Sequence, residues 1–117
     1  MLEQIMEGYR LNGGITINTK GEQPTEGYIV SPFKHLETKI DVELSWEEKQ
    51  TEISAFLERN KEVLETDNVF FGAWYEGIYI YLDVCICCSD LKFAKNIGKA
   101  FQQLAIWDVA NGCEIRL

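Results

Sequence analysis

The spacing of apolar positions changes several times along this chain, and each change marks an element. Residues 37–44, "ETKIDVEL", alternate strictly: Ile40, Val42 and Leu44 share one side, Lys39, Asp41 and Glu43 the other. That is the pattern of a half-buried antiparallel strand. Ser45 follows, three residues before Glu48, in the arrangement of a capping box. Ile53, Phe56, Leu57, Val63 and Leu64 then recur at helical spacing, which predicts a helix over 46–65. Upstream, "ITIN" (15–18) and "GYIVS" (27–31) predict two short strands joined by the polar loop "TKGEQPTE". Residues 1–14 are weakly patterned and end in the turn signal "NGG".

The second half opens on "FFGAWYEGIYIYLDVCICC" (70–88), where aromatic and aliphatic residues fill both alternating sets. The pattern predicts a hairpin of Val69–Trp74 and Ile78–Cys88, turning at Tyr75-Glu76-Gly77. A second helix starts near Ser89 or Asp90, with Ala94, Ile97, Phe101 and Leu104 as its apolar stripe. The chain closes in "AIWDVANGCEIRL", where Asn111-Gly112 is a strong two-residue hairpin signal. The predicted order is β-β-β-α-β-β-α-β-β. Helices placed among antiparallel hairpins imply an α+β fold, a single antiparallel sheet with two helices on one face, forming one domain over residues 1–117.

With Glu76-Gly77 as the turn, Tyr75 faces Ile78, Ala73 faces Ile80, Phe71 faces Leu82 and Val69 faces Val84. That wholly apolar side should meet the helices. The opposite side carries Phe70, Trp74, Tyr79, Tyr81, Asp83, Cys85 and Cys87, and is not a water face. Trp107 should add a ring there, with Arg116 opposite it in the Asn-Gly hairpin and placed for a cation–π contact. Rings of this size are not left exposed together without cause. Three covers are open: the chain's own N-terminal strands with Tyr28, Ile29, Val30 and Phe33, a second copy in a homodimer, or a small ligand held between rings with Asp83 accepting its hydrogen bonds.

Charge narrows the partners. The 117 residues carry a net charge of −8, which repels phosphate backbones and disfavours direct nucleic-acid binding. The acids are interleaved with lysine, as in "EEKQTE", which weakens a reading of the chain as a DNA mimic. No apolar run approaches the roughly 20 residues of a membrane helix. The N-terminus lacks the basic start of a secretory signal, so the expected location is cytoplasmic.

Candidate chemistry is sparse. Cys85, Cys87, Cys88 and Cys113 are poorly spaced for a metal, and His35 is the sole histidine; free thiols, no metal and no cofactor are expected. There is no Gly-rich phosphate loop and no nucleophile motif, so no catalytic residue is assigned. Asp83 and Asp108 each interrupt an apolar strand, in "YLDV" and "IWDV". Each must be hydrogen-bonded or have its pKa raised. The simpler expectation is that they bond backbone amides or a tyrosine hydroxyl and set strand register.

The run of "GAW", "YLDV", a short helix and "QLAIWDVANG", with "GYIVSPFKHLE" and "FLERNKEVLE" upstream, resembles small uncharacterised proteins of phages and prophage-like elements over roughly residues 27–116. The resemblance implies no activity; it singles out Trp74, Asp83, Gln103 and Asp108 as positions that matter for structure or function. The "CICC" run departs from the polar or small residues usual after Y-L-D-V. Taken together, the expectation is a non-catalytic, acidic accessory protein of a phage or mobile element that binds a host or phage protein, counter-defence included. The rivals are a small-molecule or nucleotide-like ligand binder using the aromatic face, and an acidic DNA mimic that inhibits a host nuclease or defence complex. The residues expected to carry binding are Trp74, Tyr79, Tyr81, Asp83, Trp107, Asp108, Gln103 and Arg116.

Overall fold

The first element is a helix. In the computed structural model, which describes residues 1–117, α1 spans Leu2–Asn12, where the sequence predicted only a weakly patterned lead-in. Leu2, Ile5, Met6 and Tyr9 fall at helical spacing and pack into the main core. Gly13 ends the helix in the left-handed region (φ 74°), its N–H bonding to the Tyr9 carbonyl.

The remaining elements are β1 (Gly14–Ile17), β2 (Tyr28–Val30), β3 (Thr38–Asp41), α2 (Trp46–Arg59), α3 (Lys61–Leu64), β4 (Val69–Glu76), β5 (Tyr79–Cys88), α4 (Leu91–Ala100), β6 (Ala105–Asp108) and β7 (Cys113–Arg116). The seven strands form one antiparallel sheet in an α+β fold, in the order β1-β4-β5-β2-β6-β7, with β3 also paired to β5. The two predicted helices become four. The predicted 46–65 helix breaks at Asn60, whose buried side-chain amide donates to the Phe56 carbonyl (2.9 Å) and competes with the helical ladder.

All helices lie on one face. Ile5 and Met6 of α1, Ile53 and Phe56 of α2 and Leu64 of α3 join Val69, Phe71, Ala73, Ile80, Leu82 and Val84 in one core. Ala94 of α4 packs with Val30, Cys88 and Ile106 in a second, and Ile86 touches both. Phe71 is fully buried and meets Phe56 edge-to-face, with ring centroids 5.6 Å apart.

The central hairpin is shifted from its expected register. Val69 pairs with Ile86, Phe71 with Val84, Ala73 with Leu82 and Tyr75 with Ile80, so Gly77-Ile78 makes the turn. Gly77 supplies the positive φ (64°) that two-residue hairpins require. Partners move by two residues, and because strand side chains alternate with period two, the two face assignments survive.

The N-terminal strands do not fold over the aromatic face. β1 is an edge strand on β4, and β2 sits inside the sheet between β5 and β6. The alternating run at 37–44 is a strand only as far as Asp41, pairing with residues 79–82 of β5. One edge of β5 is therefore shared by β3 and β2, and a 3-10 turn at Lys34–Leu36 packs against β5 where the chain passes from one to the other.

The C-terminal hairpin also differs. Its loop has four residues, Val109 to Gly112, because the Asp108 carboxylate accepts from both the backbone N–H (3.2 Å) and the side-chain amide (2.7 Å) of Asn111. Trp107 consequently faces Glu114, and Arg116 faces Ala105. The predicted Trp107–Arg116 pairing does not form; the Arg116 guanidinium lies 3.6 Å from the Glu114 carboxylate.

Candidate functional site

The sheet's helix-free face closes toward the middle and opens at the β4–β5 tip. Phe70 and Cys85 are buried, and the Cys85 thiol donates to the Phe70 carbonyl. Burial drives that thiol's pKa upward, and the charges of Asp83 and Cys87 add to the shift, so it is no nucleophile. Toward the tip, Trp74 remains 39% exposed and Tyr79 38%.

These rings are assembled by register. Trp74 and Tyr81 are cross-strand partners and stack, with centroids 4.6 Å apart and planes within 17°. Tyr79 stands two residues along on the same face and meets Tyr81 edge-on at 6.4 Å. Lys39 of β3 lies opposite Tyr81, and its Nζ is 5.5 Å from the centroids of both tyrosine rings. Glu76 and Asp41 flank Tyr79 as its partners on either side.

Beneath the rings lies Asp83, 8% exposed. The Trp74 indole N–H donates to its Oδ2 at 2.9 Å. Burial raises the carboxyl pKa to about 7; the indole hydrogen bond opposes this, the charge and hydrogen bond of Glu37 reinforce it, and Lys34 pulls it down. Around neutrality the group is thus part protonated, able to donate to Glu37 while accepting from Trp74. The expected backbone-amide or tyrosine-hydroxyl partner is not what Asp83 takes: its partner is the Trp74 indole, and its pKa is raised as well.

The other expected site residues are dispersed. Trp107 is on the same face and 44% exposed, but stands two strands from β5 and level with Cys87 through Ile29. That places it about 20 Å along the sheet from Tyr81. Arg116 accompanies Trp107 rather than the ring cluster. Asp108 holds its own turn, as a register-setting acid should. Gln103 accepts from the Ser31 N–H (3.1 Å), ending β2 against the loop after α4. Trp74, Tyr79, Tyr81 and Asp83 therefore come together, and the rest do not join them.

Lys39, Asp41, Glu37 and Glu76 were not singled out beforehand. Their charges were plain in the sequence, but the shifted β4–β5 register sets Glu76 beside Tyr79, and β3 pairing with the start of β5 brings the other three to the rings. No group of three histidine, cysteine or acidic side chains is placed to hold a metal ion. Of two surface hollows, one lined by Lys34, Ala100, Phe101 and Gln102 and one along the outer side of α4, neither is lined by Trp74, Tyr79, Tyr81 or Asp83. No helix is long and apolar enough to cross a membrane. Compared with known proteins, the chain matches no family model, no curated protein and no solved structure.

Proposed function

We propose that this chain is a non-catalytic accessory protein that works by binding another protein through the open aromatic end of its sheet. The observation that carries the reading is the one-sided placement of the helices. All of them cover one face, and the tip of the other leaves Trp74 and Tyr79 39% and 38% exposed. Contiguous apolar surface of this kind marks interaction sites, and tryptophan and tyrosine are the residues that anchor them. The resemblance to proteins of phages and mobile elements supplies the context, with a host or phage protein as the partner.

The ring geometry supports this reading over a sandwiched nucleotide-like ligand. Trp74 and Tyr81 are already in contact with each other at 4.6 Å, which leaves no gap for a base between them. Their remaining surface suits a broad contact better than an enclosed small molecule. The test is affinity capture with wild type, Trp74→Ala and Tyr79→Ala, each verified as folded by circular dichroism. A partner protein retained by wild type and lost by both variants is expected; identical capture by all three refutes the proposal.

A further inference from the structure

The groups around the rings carry a consistent electrostatic message. On the open face near the tip, Glu37, Asp41 and Glu76 surround the aromatic cluster, with Lys39 among them and Lys34 acting on Asp83 from the inner end. Lys39 is already held by the rings, with its ammonium 5.5 Å from both tyrosine centroids. One side of Trp74 is closed by Tyr81, while the hydrogen bond to Asp83 pins the indole edge inward; its neighbour on β1 is Gly14, which has no side chain to cover the ring, and Trp74 stays 39% exposed. An aromatic surface that binds one ammonium and keeps a further ring face open within a carboxylate rim is suited to more cations.

We infer that the protein partner presents arginine and lysine side chains to this end of the sheet, laying a guanidinium or ammonium over Trp74 and pairing it with Glu76 and Asp41. The inference rests on the protein-binding reading above and adds the chemistry of what is bound. It also decides against a second copy joined face to face. A two-fold axis through the rings would bring together two surfaces that each carry this acidic excess, and like charges brought together suppress association.

The test is a heteronuclear NMR titration of the whole chain with two synthetic probes, an alternating arginine–glycine peptide and a glutamate–glycine peptide of equal length. The arginine peptide is expected to shift the Trp74 indole N–H and the backbone amides of Glu76, Tyr79 and Tyr81, the glutamate peptide to shift none of them. Binding should weaken steeply with added salt, disappear in Trp74→Ala and fall about tenfold in the double variant Asp41→Asn, Glu76→Gln. Asparagine at 41 can still accept the Glu43 N–H that Asp41 accepts at 2.8 Å, which preserves the local turn. Lys39→Gln removes the competing ammonium and should tighten binding several-fold.

Shifts confined to acidic residues of α2, or no shifts, overturn the inference. An oligomer in sedimentation that both Trp74→Ala and Lys92→Glu dissolve also overturns it, because α4 of a second copy would then occupy the face. Capture experiments separate its failure from that of the underlying reading. A natural partner lost by Trp74→Ala but retained in high salt by the Asp41→Asn, Glu76→Gln variant leaves protein binding standing and removes the cationic partner. Capture indifferent to Trp74 removes both.

Discussion

At the scale of residues, Asp83 and Phe71 show how position along one hairpin decides what a side chain does. Asp83 has a folded-state pKa raised from 3.8 to about 7. Its contribution to stability is fully present below the unfolded-state value and is lost as pH rises through about 7. The wild type should therefore lose on the order of a few kcal/mol between pH 4 and pH 8 from this one group. Asp83→Asn can keep the indole bond and still donate to Glu37, so urea midpoints should be flatter over that window and higher than wild type at pH 8. An unchanged slope would place the titration elsewhere. Phe71→Ala, which empties a fully buried site against Phe56, should cost about 3–5 kcal/mol. Trp74→Ala loses one stacking contact and one hydrogen bond at a partly exposed site, about 1–2 kcal/mol, and should stay folded. Denaturation curves of the two variants test that ordering directly. Asp83 was legible in the sequence because a lone acid in "YLDV" breaks an apolar run. Glu37 was not, since it reaches Asp83 only where the chain crosses the edge of β5 between two strands.

Elements were readable where the signal is local. The box at Ser45 is present in full: the Ser45 hydroxyl accepts the Glu48 N–H and the Glu48 carboxylate accepts the Ser45 N–H, each at 3.1 Å. Ser45→Ala should lower stability by about 1 kcal/mol in chemical denaturation. The hairpin faces were also legible, because any even shift of register preserves them. α1 shows the opposite case. Leu2, Ile5, Met6 and Tyr9 do carry a helical stripe, but Gly8 weakens the propensity and "NGG" draws attention to the turn. What the glycine contributes is tertiary: a Cβ at Gly8 would lie 2.6 Å from Ile15 Cδ1, so its absence lets the helix sit close on β1. Gly27 works similarly at the entrance to β2. Its φ is 94°, and an added Cβ would fall 2.8 Å from Cys87 Sγ and 2.9 Å from the Cys88 carbonyl oxygen. Gly27→Ala should therefore cost more than about 1 kcal/mol, seen as a lower thermal midpoint with the loss of ordered β2 amides in NMR spectra.

For the molecule as a whole, strand order was the least legible feature. Periodicity tells which residues are strand and which side they face, but says nothing about which strands are neighbours. The chain's N-terminal strands read as a cover for the rings, yet β1 extends the sheet at one edge and β2 completes it near the middle. Backbone groups explain the preference: inside the sheet β2 bonds on both sides, whereas a strand laid over side chains would leave its amides unpaired. The aromatic face is left open in consequence, and the binding proposal depends on that opening.

The place of β2 has a further consequence in time. Tyr28 pairs with Cys88 on one side and with Asp108 on the other, so β2 is the one strand that joins the β1-β4-β5 portion to the β6-β7 hairpin. A ribosome adding about 5–20 residues per second needs roughly 4–16 s to travel from Val30 to Asp108. During that interval the aromatic hairpin can close locally and offer β5 to one flank of "YIV", while the other flank waits for β6. Pairings so distant in sequence also slow refolding of the finished chain, into the range of about milliseconds to seconds. The three residues that join the halves of the sheet are made long before the second of their two partner strands exists.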